Sequence, residues 1–349
     1  MEIFNYPLVG IYASKGRKKD TFRGDITVFK SIQKEMKNYG AQTFVFTTDN
    51  IHADGITGYV YFEGYNRWGK ISFPFPDLIY NKISTRSEET SSEFQHLYQL
   101  YRQKEKPFFN PGFFNKWDSH LALSQQKNLE KSLPKTWIYT KEVDLVNLMH
   151  TYPSLYLKPV NGHKGSGIVR IMKNDPYFTI QTKQEQFKMS ASELKTWIED
   201  SFFQSNSYII QEEIETDKFD GCKYDLRVLC MYMKGGYSSV GVGVRKAPKG
   251  SIVTHVPNGG EILPFQKVQD RCSIEQIDLL ANQVGSILTE NLGFIGEFSM
   301  DIGIATNGSP YLFEINSKPM IFDEDDIQRK RIVQLVELFL SLTQNTNIR

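Results

Sequence analysis

The chain has 349 residues, which is enough for two or three compact domains. Its 41 Lys and Arg residues balance 40 Asp and Glu residues, so no strong net field favours nucleic acid or an acidic membrane surface. The three cysteines lack C-x-x-C spacing, which argues against a disulfide framework or structural zinc and fits a reducing compartment. No stretch approaches the roughly 18–20 apolar residues of a membrane span. With no signal peptide visible, we expect a cytoplasmic protein without a nucleic-acid partner.

Residues 1–106 are predicted to form a small α/β domain. Segments 7–14 and 41–49 are typical of strands, and 25–40 has apolar residues at helical spacing and ends in a glycine. A strand, a helix and a second strand in this order predict a parallel arrangement. The further elements expected here are a hairpin at 55–75, a strand at 77–83 and a helix at 87–103.

A second unit begins near Phe108, after which the pattern is typical of an α+β fold with antiparallel strand pairs. The predicted helices are at 190–205, 273–292 and 327–343, with a further helix within 115–137 that ends before Pro134. The predicted strands or strand pairs are 154–172, 207–214, 225–247 and 294–317.

The last strand pair carries oxygen-bearing side chains among apolar ones. Asn-Gly at 307–308 lies between two alternating apolar runs, which is a strong hairpin signal. If these are the two turn residues, Asp301 faces Glu314 and Ser299 faces Asn316. Strand alternation then puts the two carboxylates and the amide on one face of the sheet.

Three oxygen ligands that converge in this way suit a hard cation such as Mg²⁺. Two carboxylates that close repel each other unless a cation lies between them. The alternative is an acidic sheet face exposed to solvent. Pro310 adds a second open question, because it could lengthen the turn and shift the register.

A glycine-rich loop follows the strand YLKP in YLKPVNGHKGSGIV. Its glycines let backbone N–H groups close on phosphate oxygens, yet the loop matches neither standard phosphate fingerprint. Taken alone, the loop is typical of a glycine-rich hairpin, with His163 and Lys164 solvated at its tip. Lys158, at the strand end beside this flexible loop, is well placed to bind phosphate.

The segment QEEIETDKFDGCKYDLRVL, residues 211–229, ends a hydrophobic strand in acidic residues. These carboxylates could hold ribose hydroxyls while the strand backbone contacts an adenine edge, or they could be surface or helix-capping acids. Arg227 and Arg245 alternate with apolar residues on neighbouring strands. Arginines on a sheet that also carries carboxylates either pair structurally or clamp phosphate.

The order of these features resembles the ATP-grasp superfamily. That order is Lys116, Lys158 with the glycine loop, Gln211-Glu212-Glu213-Ile214, Asp225-Leu226-Arg227, Arg245, Asp301 and Glu314-x-Asn316. Similar segments occur in ribosomal-protein glutamate ligases; here they are IIQEEI, DLRVL, VRKAP, SMDIGI and YLFEINSKP. The two lysines and the final triad of Asp301, Glu314 and Asn316 resemble those of D-alanine–D-alanine ligases. FPFPDLIYNKI and FNPGFFNKWDSHLAL resemble the endospore-coat-associated YheC/YheD group.

The resemblance implies an ATP-grasp fold, in which two α+β subdomains clasp ATP, after a pre-ATP-grasp-like N-terminal domain. The implied subdomains are about 107–212, with the glycine-rich loop, and 213–349, with the metal site. The implied cofactors are ATP and one or two Mg²⁺, with Mn²⁺ as a substitute. Spore-coat proteins are implied as partners, and the spore coat or forespore as an alternative location.

The resemblance also implies roles for single residues. Lys116 and Lys158 would hold the α- and β-phosphates, and Asp301, Glu314 and Asn316 would hold the metal. The other nucleotide contacts are implied for the loop residues Gly165, Ser166 and Gly167, for Gln211, for Glu212 and Ile214 through their backbone, and for Glu213 and Asp225 near the ribose. Catalytic roles are implied for Lys158, Arg227 and Arg245, with Arg245 on the γ-phosphate.

The implied reaction joins a carboxylate to an amine through an acyl phosphate, with ADP and phosphate as products. Two other functions stay open, a structural spore-coat protein that keeps the fold and a phosphotransferase that stops at a phosphorylated product. Arg86 and Arg227 are candidate anchors for a substrate carboxylate, although Arg86 also fits a surface salt bridge. The chain departs from its relatives at His255, near the phosphates, and at Met320, beside the substrate.

Overall fold

The computed structural model describes residues 7–140, 143–162, 165–202, 208–251, 254 and 259–344. In these residues the strands form three sheets, which follow one another along the chain. His163, Lys164 and His255 lie outside the described residues.

The first sheet forms the N-terminal domain. Its strands are β1 (Leu8–Lys15), β2 (Phe22–Arg23), β3 (Gln42–Phe46), β4 (Ile56–Phe62), β5 (Arg67–Phe73), β6 (Leu78–Lys82) and β7 (Phe108–Phe109). Its helices are α1 (Ile26–Asn38), α2 (Arg86–Glu89) and α3 (Ser92–Gln103). β1 pairs in parallel with β3 and β6, so the predicted parallel arrangement is confirmed. All of β1 except Lys15 is buried, as expected for a central parallel strand.

The helix predicted at 87–103 is two helices rather than one. α2 ends at Glu89 and α3 begins at Ser92. Ser91 accepts a hydrogen bond from the amide of Phe94, so it caps the second helix. The break directs the buried carboxylate of Glu89 towards the amide of Phe113, at 2.8 Å.

The second sheet is antiparallel and carries the glycine-rich loop between two of its strands. Its strands are β8 (Thr136–Ile138), β9 (Ser154–Pro159), β10 (Val169–Asn174), β11 (Tyr177–Gln181), β12 (Gln186–Met189) and β13 (Tyr208–Glu212). The helices of this region are α4 (Lys116–Ser124), α5 (Leu145–Thr151) and α6 (Ala191–Phe202). Leu155, Leu157 and Ile171 form its core with Leu194 and Ile198 of α6.

The helix predicted to run from residue 115 to just before Pro134 is too long. Asn115 caps the start of α4, but the helix ends at Ser124 and β8 begins at Thr136. Between them the chain turns so that Leu129 and Leu133 enter the same core as Leu123. Burial of these leucines therefore outweighs the helical periodicity of the segment.

The third sheet carries the acidic strands. Its strands are β14 (Lys218–Phe219), β15 (Cys222–Met233), β16 (Gly236–Lys246), β17 (Glu261–Leu263), β18 (Glu297–Ile304) and β19 (Pro310–Asn316), with helices α7 (Ile274–Leu292) and α8 (Asp325–Gln344). One face packs on α7 and α4. On the other face α8 and the N-terminal domain cover only one end, where Leu229 and Met231 pack with Leu335 and Val9. The polar end of this face stays open towards the second sheet.

A buried ion pair ties the third sheet to α8 and to the N-terminal domain. Arg331 donates two hydrogen bonds of 2.8 Å to Glu297, and both side chains are almost fully buried. Tyr80 donates to the same carboxylate, and Lys82 lies 3.6 Å from it. Burial would raise the pKa of Glu297, but Arg331 and Lys82 outweigh it and hold this pKa below its usual value.

The change Glu297→Gln should lower the free energy of unfolding by about 3–5 kcal/mol, because it leaves the buried guanidinium of Arg331 without its charge partner. Urea denaturation monitored by circular dichroism measures this loss. The control Asp20→Asn breaks an exposed pair with Lys70 and should leave the unfolding free energy nearly unchanged. Equal effects of the two changes would contradict the proposed importance of the buried pair.

Candidate active site

The open face of the third sheet forms a cavity of about 550 Å³ with the second sheet and the N-terminal domain. Most of the site residues predicted from the sequence line it. They are Lys158, Gly165, Gln211, Glu212, Glu213, Ile214, Asp225, Arg227, Arg245, Asp301, Glu314 and Asn316. Ser166 and Gly167 are exposed outside the lining, and Lys116 reaches the site through Glu314.

The pairing predicted for the last hairpin is confirmed at the site. Asp301 lies opposite Glu314, and Ser299 lies opposite Asn316. The two carboxylates and the amide therefore share one face, and all three line the cavity. The hydroxyl of Ser299 is fully buried on the same face, and its oxygen has no hydrogen-bond partner among the described residues.

The turn that produces this register differs from the predicted one. Ala305 pairs with Ser309 across a loop of three residues, in which Gly308 has a φ of +85°. This shifts the register by one residue, and a β-bulge at Phe313 shifts it back. The predicted two-residue turn is thus wrong, and the predicted pairing holds because the two offsets cancel.

Cations neutralise both carboxylates. Lys116 lies 2.6 Å from Glu314, and Arg245 lies 2.8 Å from Asp301 and 3.0 Å from Asp225. Burial would lower the pKa of Arg245, but Asp301 and Asp225 outweigh it, so the pKa is raised and the guanidinium stays charged. Burial raises the pKa of Asp225 against the opposing effect of Arg245. A metal ion bound by the carboxylates would compete with these cations, and phosphates bound by the cations would compete with the carboxylates.

Lys158 is held by a neighbouring amide rather than by a carboxylate. Its ammonium donates to the side-chain oxygen of Gln211 at 2.5 Å, and the Gln211 nitrogen donates to Thr136 at 3.1 Å. Burial lowers the pKa of Lys158 to about 8, Glu314 acts against this shift, and the nearby charge of Lys116 adds to it. Lys158 is therefore a cation that would be stabilised by an anion in the cavity.

At the acidic strand end, residues 211–214, some hydrogen-bonding groups have partners among the described residues and others do not. The amide of Glu212 donates to the carbonyl of Lys135 at 2.9 Å, and its carboxylate accepts from the Lys135 amide at 2.7 Å. The amide of Ile214 has no partner among the described residues and lies at the cavity wall. Of the two backbone amides, that of Glu212 is thus occupied and that of Ile214 has no partner among the described residues.

Glu213 lies in a network that the sequence analysis missed. Its carboxylate pairs with Arg170 at 2.6 Å and with Lys223, and it accepts a 2.5 Å hydrogen bond from Ser154. Burial would raise the pKa of Glu213, but the hydrogen bonds and charges of these partners hold it below its usual value. The network links the second and third sheets at the back of the cavity, and a ribose contact by Glu213 stays a prediction.

Several further cavity residues were not predicted, among them Lys82, Phe113, Tyr156, Phe313 and Lys318. The sequence does contain a signal for Lys82. It ends the buried strand β6, and Lys158 likewise follows an apolar run in β9. Strand alternation alone would place Phe313 and Glu314 on opposite faces of the sheet. The bulge brings Phe313 into the cavity lining beside Glu314.

The two residues singled out at the substrate end have different positions. Met320 lines the cavity and is 46% exposed, at its mouth. Arg86 lies outside the lining, where it donates to the carbonyl of Phe114 at 2.5 Å and stacks 5.1 Å from the ring of Phe113. The surface salt bridge favoured for Arg86 is not formed with any described carboxylate.

The donor set fits a magnesium ion. No group of three His, Cys, Asp or Glu side chains in the described residues could hold a metal by itself. The set here is instead two carboxylates and the amide of Asn316, all oxygen donors, with the unpartnered hydroxyl of Ser299 behind them. Mg²⁺ commonly takes one or two protein carboxylates and completes its shell with phosphate and water.

Comparison with known proteins places this cavity in a family. The sequence model of the family described as YheC/D like ATP-grasp matches residues 105–343. The chain belongs to this family. It is 28% identical over 331 residues to the endospore coat-associated protein YheD of Bacillus subtilis, an alignment that covers 90% of this chain and 72% of YheD.

Solved structures show the same fold. The D-alanyl-alanine synthetase A of Vibrio cholerae matches with a TM-score of 0.56 and 13% identity over 98% of this chain and 99% of its own. A RiPP-associated ATP-grasp ligase of Chryseobacterium gregarium, solved with ADP and a leader and core peptide, matches with a TM-score of 0.51 and 12% identity over 96% and 97%. The predicted ATP-grasp fold is confirmed. In the described residues no helix is long and apolar enough to cross a membrane.

The lowered pKa of Lys158 predicts a pH dependence of stability. The unfolded chain keeps this lysine protonated up to about pH 10.5, whereas the folded chain releases the proton near pH 8. The unfavourable burial of the charge is thus fully present below about pH 8 and disappears as the pH rises to about 10.5. Between these values the stability of the wild type relative to Lys158→Met should rise by on the order of 2 kcal/mol.

Urea denaturation of both proteins across this pH range measures the difference. The parallel change Lys173→Met removes a lysine whose charge lies near an exposed aspartate, 3.6 Å away. Its stability difference from the wild type should not rise over the same range. A flat difference for Lys158→Met would show that Lys158 is not destabilised by its site.

Proposed function

We propose that the protein is an ATP- and Mg²⁺-dependent carboxylate–amine ligase that forms ADP. The observation that carries this proposal is the convergence of cations and oxygen donors in one cavity. Lys158 and Arg245 lie beside Asp301, Glu314 and Asn316 in a single cavity between two sheets. Membership of an ATP-grasp family supports it. A purely structural protein has no physical need to keep these charges together at a cavity.

The nucleotide would bind where the second sheet meets the third. The open amide of Ile214 would donate to the adenine edge, and Tyr156 and Phe313 offer aromatic surface on either side of Lys158, 5.6 and 5.8 Å from its ammonium. Lys116 and Lys158 would hold phosphates, with the loop at Gly165–Gly167 above them as a lid. Gln211 would act as a positioning residue, since it fixes the ammonium of Lys158.

Binding would exchange the partners of the ion pairs. Asp301, Glu314 and Asn316 would hold one or two Mg²⁺ ions, with Mn²⁺ as a substitute. The metal would neutralise the phosphates and align them for transfer. Lys116 and Arg245 would leave Glu314 and Asp301 for phosphate oxygens, so no charge would lose its compensation at any stage.

The chemistry would follow in two displacements. An oxygen of the substrate carboxylate attacks the γ-phosphorus, and ADP leaves; Arg245 stabilises the charge on the transferring group. A neutral amine then attacks the acyl carbon of the acyl phosphate, and phosphate leaves as the amide forms and the amine loses a proton. The lid would exclude water, which otherwise hydrolyses the acyl phosphate. No side-chain nucleophile is required.

The related proteins suggest a substrate class and a location. The Chryseobacterium ligase was solved with a leader and core peptide, which favours a peptide or protein carboxylate as substrate. YheD is named an endospore coat-associated protein, which favours the spore coat or forespore as location and coat proteins as partners. The same name supports the second candidate, a nucleotide-binding coat protein without ligase turnover.

Calorimetric titration with Mg²⁺-ATP tests the nucleotide site. The wild type should bind ATP in a Mg²⁺-dependent way, and Glu314→Gln/Asn316→Ala should lose at least about tenfold in affinity, because two of three metal ligands are changed. The control Glu290→Gln/Asn291→Ala makes the same changes at exposed positions at the end of α7 and should bind like the wild type. No binding by the wild type would overturn the ligase proposal.

Release of ADP and phosphate separates the candidate functions. A ligase should release ADP when offered a suitable carboxylate, release phosphate when an amine is added, and lose both in Glu314→Gln. A phosphotransferase would yield a stable phosphorylated product with no need for an amine. A structural coat protein would bind ATP without carboxylate-dependent release of ADP, and this outcome would contradict the ligase proposal.

A further inference from the structure

The cavity has a second group of cations, at the end where the N-terminal domain meets the third sheet. Lys82 and Lys318 line this end, together with Arg227 and Met320. Lys318 is fully compensated, because it pairs with Glu89 and donates to the carbonyl of Ile83 at 2.6 Å. Lys82 and Arg227 are not compensated in this way.

Lys82 is a buried cation whose contacts with the described residues are all long. Its side chain is 6% exposed, its nearest carboxylate is Glu297 at 3.6 Å, and its nearest carbonyl is that of Pro319 at 3.4 Å. Charge-assisted hydrogen bonds are usually about 2.7–2.9 Å long. The carboxylate of Glu297 already accepts two hydrogen bonds from Arg331 and one from Tyr80, so it has little capacity left for Lys82.

Other charges near Lys82 do not complete its environment. Asp25 lines the cavity and attracts Lys82, but it lies beyond ion-pair distance, and Arg331 repels it. Burial, together with the positive charge of Arg331, lowers the pKa of Lys82 against the attraction of Glu297 and Asp25. A buried ammonium with this set of neighbours would gain from an anion in the cavity.

Arg227, on β15 of the third sheet, also indicates an anion site at this end of the cavity. Its Nε atom is buried without a hydrogen-bond partner in the described residues, and no described carboxylate lies within ion-pair distance of its guanidinium. The guanidinium lies 5.3 Å from the ring of Phe322, which leaves its donors available. Arg227 is directly opposite Asp301, so an anion bound here lies beside the metal ligands without replacing them.

We propose that Lys82 and Arg227 bind a second carboxylate of the acyl donor, one that is not activated. The preferred donor is therefore a molecule with at least two carboxylates, such as an acidic peptide. The inference rests on the proposed ligase function, since it assigns the activated carboxylate to the metal end. One carboxylate lies at Arg245 and the metal ligands, and the other compensates the two buried cations.

The test compares dicarboxylates with their monomethyl esters. Acids from succinate to suberate, which span a range of carboxylate spacings, are titrated calorimetrically into the protein with Mg²⁺ and a non-hydrolysable ATP analogue. The wild type should bind at least one diacid about 10–100-fold more tightly than its monoester, because the ester loses the second charge-assisted contact. Lys82→Met should abolish this preference, and Lys82→Arg should restore part of it.

The control is Lys106→Met. Lys106 has almost the same contacts as Lys82, with a carbonyl at 3.3 Å and a carboxylate at 3.5 Å, but it lies outside the cavity lining. This variant should keep the wild-type preference for diacids. Thermal unfolding of each variant checks that it is folded, and the ratio of diacid to monoester affinity is insensitive to a general loss of stability.

Three outcomes would overturn the inference. The first is equal binding of diacids and monoesters by the wild type, including no binding of either. The second is an unchanged preference for diacids in Lys82→Met. The third is a preference confined to carboxylates that also bear an amine, which would assign this end of the cavity to the amine substrate. Each leaves the ligase proposal intact, because that proposal depends on nucleotide binding and ADP release.

Discussion

The arrangement of the site depends on two carboxylates that face each other across adjacent strands. Directly opposite residues have Cβ atoms only about 4.5–5.5 Å apart, so Asp301 and Glu314 cannot both stay charged without a cation. Lys116 and Arg245 supply that cation, each from a different element. The same cations are the residues proposed to bind the phosphates of a nucleotide. Charge compensation and phosphate binding would thus be alternative uses of one set of side chains.

The position of these carboxylates is fixed by the surrounding packing. α7 and α4 bury one face of the third sheet, and the part of the opposite face that α8 and the N-terminal domain leave uncovered carries polar residues. At one end of that face, Glu297 is enclosed with Arg331 and holds the N-terminal domain through Tyr80. At the other end, Asp301 faces the cavity. One strand, β18, therefore carries both the structural ion pair and the proposed metal site.

The N-terminal domain contributes to the cavity as well as to the shared core. Lys82 ends its buried strand and enters the cavity, and the core that includes Val9 and Leu335 holds the domain firmly against α8. A substrate at this end would be recognised by residues from two domains at once. Fold kinship alone does not define the substrate, since the residues at such an interface can vary while the fold persists.

The sequence alone determined the features that arise from local pattern. Alternation and periodicity predicted the parallel N-terminal arrangement and the hairpin that carries the acidic residues, and the order of the charged motifs indicated the ATP-grasp fold. Only the tertiary structure decided which charges pair. The β-bulge at Phe313, the early end of α4 and the network at Glu213 all depend on contacts between residues far apart in the chain. Periodicity predicts on which face of a helix or strand a residue lies. It does not predict which residue lies opposite, because that is determined by the packing between elements.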